Sequence, residues 1–258
     1  RVPRWTKWSG TGPDMAQAEP GADEWTKGLH RAMLVRVGRA ETRAVLHDDF
    51  DHFRLRLRHD GTAVVAAMSE MLRGPYSLCP RAGKELAQLA GRPLAGGAAG
   101  LSLRLQCTHQ FELAALAMAA SARGQDCHYE LGVAVEDAER FSGWIARDGQ
   151  RLLDCRIDHE RFTAPESFAG QALGAGFTGW AAAQLAPDLA EAALLLRRGV
   201  ILARARRHLP RLDALGHAPA NGNCWVQQPA TAEQARRHYG VVRDYSASGV
   251  PLGRDDED

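Results

Sequence analysis

The stretch from Asp51 to His59, DHFRLRLRH, constrains the fold more than any other part of the chain. In an extended chain Phe53, Leu55 and Leu57 fall on one side and His52, Arg54, Arg56 and Arg58 on the other, because side chains alternate along a strand. Asp60-Gly61 follows as a hairpin signal and leads into a second apolar run, TAVVAAMSEML at 62–72. LHRAMLVRVG at 29–38 reads as an earlier strand, and Gly74-Pro75 ends the series. Pro80 suits the first turn of a helix over RAGKELAQLAG, which Gly91 stops. Residues 107–121, CTHQFELAALAMAAS, form an Ala-rich apolar helix with a cysteine, a histidine and a glutamate at its start.

A second block repeats the theme. HYELGVAVED at 128–137 and FSGWIARDGQRLLDCRID at 141–158 read as three strands, with Asp148-Gly149 as a hairpin turn. PESFAGQALGAGFTGWAAAQL reads as helix broken by glycines, and 188–209 is the longest helical pattern, stopped by Pro210. LAGRPLAGG at 89–97 echoes FAGQALGAG at 168–176, and at the same offset Glu112 meets Glu191. The expected fold is α+β, with two strand-hairpin-helix-helix blocks in one compact body. The echo leaves two readings open, a degenerate duplication or chance likeness of Ala/Gly-rich segments. The blocks span 28–124 and 125–246. Residues 1–27, with Trp5, Trp8 and Trp25 among Gly, Pro and acidic residues, read as a flexible arm, and the natural start is placed upstream or at Met15. Residues 247–258 read as a disordered acidic tail.

Composition narrows the function classes. A net charge of +1 gives no global field to recruit nucleic acid or anionic membrane. The arginines at 204–207 and 236–237 come without stacking aromatics. No run reaches the ~18 apolar residues of a membrane span, and RVPRWTKWSG has no apolar signal-peptide core. Five widely spaced cysteines without a CxxC read as reduced thiols of a cytoplasmic protein. There is no GxGxxG, no P-loop and no GxSxG.

Chemistry concentrates at 107–112. Cys107 stands at a helix start, where orphan N–H groups and the dipole favour a thiolate. His109 and Glu112 share a helix face, so the carboxylate is placed to orient the imidazole. Cys107, His109 and Glu112 are therefore the candidate catalytic residues, as nucleophile, base and orienter. The competing reading makes Cys107 a small buried hydrophobe and Glu112 an offset to the dipole. Cys79, Cys107, His109 and His52 also offer ligands that zinc or iron accepts. His52 and Arg54, on the basic strand face, are the candidate anion-binding residues.

HR at 30–31, the acidic run at 48–52 ending in His52, PYSLCP at 75–80, CTHQFEL at 107–113, and CWVQQP with RDYS between 224 and 246 together resemble a bacterial family, domain of unknown function 2889. Its members show a Cys-Thr-His-Leu-x-Glu-Leu element after a Pro-Tyr-x-x-Cys-Pro element. The resemblance covers roughly residues 28–246, and this chain carries Gln110 and Phe111 inside the motif. It implies a bacterial, cytosolic setting and no particular reaction. The leading expectation is a small-molecule catabolic enzyme acting on an anionic substrate, a carboxylate or an acyl thioester. Two alternatives stand beside it: a non-catalytic metal- or sulfur-carrying accessory protein, and a binding or assembly protein that forms a homodimer through its Ala-rich helices.

Overall fold

A computed structural model describes residues 28–245 and 248–250. The expected arm and the end of the acidic tail lie outside the described residues. Eight strands form one antiparallel sheet: β1 (Leu29–Val37), β2 (Glu41–Asp48), β3 (His52–His59), β4 (Val64–Arg73), β5 (Cys127–Val135), β6 (Arg140–Arg147), β7 (Gln150–Asp158) and β8 (Arg161–Ala164). Their order across the sheet is β4-β3-β2-β1-β5-β6-β7-β8. The two blocks therefore meet at the central β1–β5 pair and share one core.

The pleat of β3 sorts its residues as its sequence predicts. Phe53, Leu55 and Leu57 pair with Leu46, Ala44 and Thr42 of β2, and all six are buried. Each large apolar side chain so buried contributes about 1.5–3 kcal/mol. Helix α1 (Thr108–Arg123) packs on this face over β1, β2 and β3. It buries residues around most of its circumference, Phe111, Leu113, Ala114, Leu116, Ala117 and Met118 among them, which explains its lack of a polar stripe. A short helix, α2 (Phe177–Gln184), precedes α3 (Pro187–Ala205), which covers β5 and β6 on the same face. Gly199 lets α3 approach the sheet: a Cβ there would lie 2.7 Å from Leu131 Cδ1 and 3.4 Å from Val133 Cγ2. Gly199→Val is expected to cost about 1–3 kcal/mol through overpacking, measured as a lower urea midpoint. An unchanged midpoint would show that the sheet yields there.

Several expectations need correction. The α+β class holds, but no duplication is evident. Strands of the two halves are offset by 98 residues (Leu29 to Cys127) and helices by 79 (Thr108 to Pro187). The two Asp-Gly pairs also occupy different hairpins. Asp148 and Gly149, both at positive φ (51° and 79°), make a two-residue turn between β6 and β7. Asp60-Gly61 belongs to a four-residue link between β3 and β4, where Asp60 Oδ1 accepts N–H bonds from Thr62 and Ala63. β2 escapes the period-two pattern because Ala44, Val45, Leu46 and His47 are all buried, on both faces. β8 is only four residues long. Pro210 does not stop helical structure. It sits in the first turn of α4 (Leu209–Leu215), where a missing N–H costs little. Among the described residues no helix is long and apolar enough to cross a membrane.

Candidate functional site

The link between β2 and β3 builds the site. Asp48 Oδ1 accepts the backbone N–H groups of Phe50 and Asp51 at 2.8 and 2.7 Å, closing a tight turn. Arg73 of β4 donates to the carbonyls of Asp48, Asp49 and Asp51, and also to that of Val241. With its backbone held from two sides, the turn fixes the buried Asp51 carboxylate over the start of α1.

There it meets His109. His109 Nε2 lies 3.4 Å from Asp51 Oδ2, and the imidazole lies nearly parallel to the ring of Phe53, 6.0 Å between centres. Among the described residues His109 Nε2 and Asp51 Oδ1 have no hydrogen-bond partner. Burial, then the neighbouring Arg31 charge, draws the imidazole down to about 3. Burial, reinforced by Asp48, pushes the Asp51 carboxyl well above the usual carboxylate range. Near neutral pH the imidazole is therefore uncharged, and the carboxyl holds its proton to higher pH than an ordinary carboxylate.

Arg31 anchors the surroundings. It is a charged side chain in a mostly apolar strand and is 1% exposed. Its Nε donates to Asp48 Oδ2 at 2.8 Å and its Nη1 to Glu112 Oε2 at 2.7 Å. Burial alone would raise Asp48, but the Arg31 guanidinium brings it below its ordinary value. Glu112, pushed up by burial, is also tied to Arg31. The expected orientation of His109 by Glu112 is thus corrected. One turn along α1, Glu112 faces β1, and the carboxylate beside the imidazole is Asp51 from the β2–β3 link.

Cys107 caps α1 with extended backbone, φ −72° and ψ 116°. The backbone N–H groups of Gln110 and His109 favour its ionised form, but burial outweighs them and pushes the thiol up to about 12. Burial also lifts Cys79, well above the usual thiol range, and Cys224. The expected thiolate is therefore replaced by a neutral thiol, because the helix end lies inside the core. Cys79, Cys107, Cys224, Asp51, His109 and Phe53 line one cavity of about 230 Å³, together with Arg198, Ile201, Leu202 and Ala205 of α3.

His52 and Arg54 do not join this cavity. They project from the opposite face of the sheet to Phe53. His52 stacks on His47 with 4.1 Å between centres, and His47 Nε2 lies 2.9 Å from the Tyr245 hydroxyl. Arg54 stands across from Glu70 on β4, and the next arginine, Arg56, is bound by Glu41. The four residues expected as metal ligands are thus divided by the sheet, Cys79, Cys107 and His109 on one side and His52 on the other. Among the described residues no group of three or more His, Cys, Asp or Glu side chains is arranged to hold a metal ion.

Asp51, Asp48, Arg31, Arg198 and Cys224 are site residues that the local pattern did not single out for chemistry. Three aspartates within four residues, and an arginine in an apolar strand, were the available signals. The 223–227 segment packs at the cavity wall, where Trp225 N–H donates to the Gln106 carbonyl at 3.0 Å. No family model, curated protein or solved structure matches this chain, so the chemistry of the site rests on its own residues.

Proposed function

We propose that the chain is an enzyme performing proton transfer on a small anionic molecule in this cavity, with Asp51 and His109 as one acid–base unit. The observation that carries the reading is the pairing of the two side chains at 3.4 Å, each with an unsatisfied polar atom, at the wall of the same cavity. Leaving such atoms unpaired costs about 1–3 kcal/mol each, and clusters of this kind concentrate at functional sites. A neutral imidazole beside a carboxyl that retains its proton can take a proton from one substrate position and return one to another without building net charge in a dry site. The neutral thiols serve as a polarisable wall and are not the nucleophile. The volume falls just below the roughly 300–1,000 Å³ of pockets for drug-sized ligands, which suits a small metabolite.

The test is a turnover panel on the purified chain: small carboxylates followed by deuterium exchange at carbon, and small acyl esters and thioesters followed by hydrolysis. A reaction found in the wild type is expected to be lost in His109→Gln. A reaction that proceeds at the full rate in that variant would overturn the assignment.

A further inference from the structure

The same cavity is also lined by a guanidinium whose charge reaches the acid–base pair. Arg198 projects from α3 with a side chain 18% exposed and lines the cavity. Its nearest carboxylate oxygen among the described residues is Glu112 Oε1, 3.9 Å from Arg198 Nε, beyond hydrogen-bond reach. The other Glu112 oxygen already holds Arg31 at 2.7 Å. Arg31 thus takes both Asp48 and Glu112, and Arg198 keeps only the long ion pair to Glu112, with no carboxylate within hydrogen-bond distance among the described residues. A guanidinium fork binds a carboxylate with two parallel N–H···O bonds. The same helix lends the cavity the apolar Ile201, Leu202 and Ala205, and β3 lends it Phe53.

We propose that this cavity takes a small monocarboxylic acid as its free carboxylate, with the carboxylate on Arg198 and the apolar body against Phe53, Ile201, Leu202 and Ala205. This deepens the acid–base reading and rests on it for the identity of the cavity as a substrate site. The charge count selects the class. One guanidinium matches one carboxylate, whereas a coenzyme A thioester brings several phosphate charges that a single guanidinium does not match. An amine would meet Arg198 as a like charge.

The test is isothermal titration of the full chain with benzoate, butyrate, benzamide, benzylamine and butyryl-coenzyme A. Benzoate or butyrate is expected to bind saturably, and benzamide at least about tenfold more weakly, the loss that follows removal of a charge-assisted pair. Arg198→Gln is expected to weaken the acids by a similar factor and leave benzamide unchanged. Arg198→Lys should restore part of the acid affinity, and Ala205→Phe should abolish it by filling the cavity. Equal or tighter binding of benzamide, benzylamine or the thioester would overturn the proposal, as would acids that do not bind or that bind Arg198→Gln unchanged. Acids that bind through Arg198 but never react would sink the enzyme reading alone. Turnover, dependent on His109, of a molecule without a carboxylate would sink this proposal alone.

Discussion

Replacing Arg31 with methionine is expected to lower the unfolding free energy by about 3–5 kcal/mol, the usual result of removing one partner from a buried ion pair. The residue is 1% exposed and holds Asp48, itself fully buried, and the largely buried Glu112. Methionine fills much of the same volume but leaves both carboxylates without their main counter-charge. Asp48 also organises the β2–β3 turn through the N–H groups of Phe50 and Asp51, so the loss spreads to the position of Asp51. Urea denaturation of wild type and variant measures the effect. A companion variant sharpens it: Arg31→Met with Asp48→Asn and Glu112→Gln should recover much of the loss, because an all-neutral cluster no longer buries uncompensated charge. A single variant within 1 kcal/mol of wild type would show that water reaches the cluster and that it is not the anchor described.

Where the sequence alternates, the fold was legible. β3 and β7 follow a period of two, and α1 follows its Ala-rich apolar run. β2 was not, because at the centre of a sheet both faces are covered and the alternation disappears. The candidate site was legible only in part. Cys107 and His109 are neighbours in sequence and lie at the helix start as expected. The carboxyl beside His109 is that of Asp51, 58 residues upstream, brought there by the pairing of β2 with β3 under α1. The register of His52 decides the other outcome. In a strand, residues 52 and 53 face opposite ways, so Phe53 beneath His109 requires His52 on the far side. A local cluster suggested that Glu112 orients the imidazole; the fold gives Glu112 to Arg31 instead. Helix spacing states which residues share a face, but which buried charge lies opposite that face is set by the topology of the sheet.

Asp51→Asn is expected to reduce turnover of the eventual substrate by about 10²–10⁴-fold, the range for loss of a positioned acid–base group, while raising stability at neutral pH. The sign follows from protonation. Burial, with Asp48 beside it, places the folded-state value of Asp51 well above that of an ordinary carboxylate. In the unfolded chain the group releases its proton near pH 4. Between those values the native state binds more protons than the unfolded state, so stability falls as pH rises. Asparagine has nearly the same shape and cannot ionise, so it escapes this cost. The gain should be absent near pH 4 and grow as pH climbs toward the native Asp51 value, read from urea midpoints at pH 4.5, 6.0 and 7.5. His109→Gln should lose turnover to a similar degree, and the double variant little more, because groups that act as one unit are not additive. A residue that fails to help stability yet is needed for reaction is the mark of a site held against its own folding cost. If Asp51→Asn were instead less stable than wild type at pH 7.5 and equally active, Asp51 would be a structural member of the Arg31 cluster, and the proton-transfer role would have to leave this cavity.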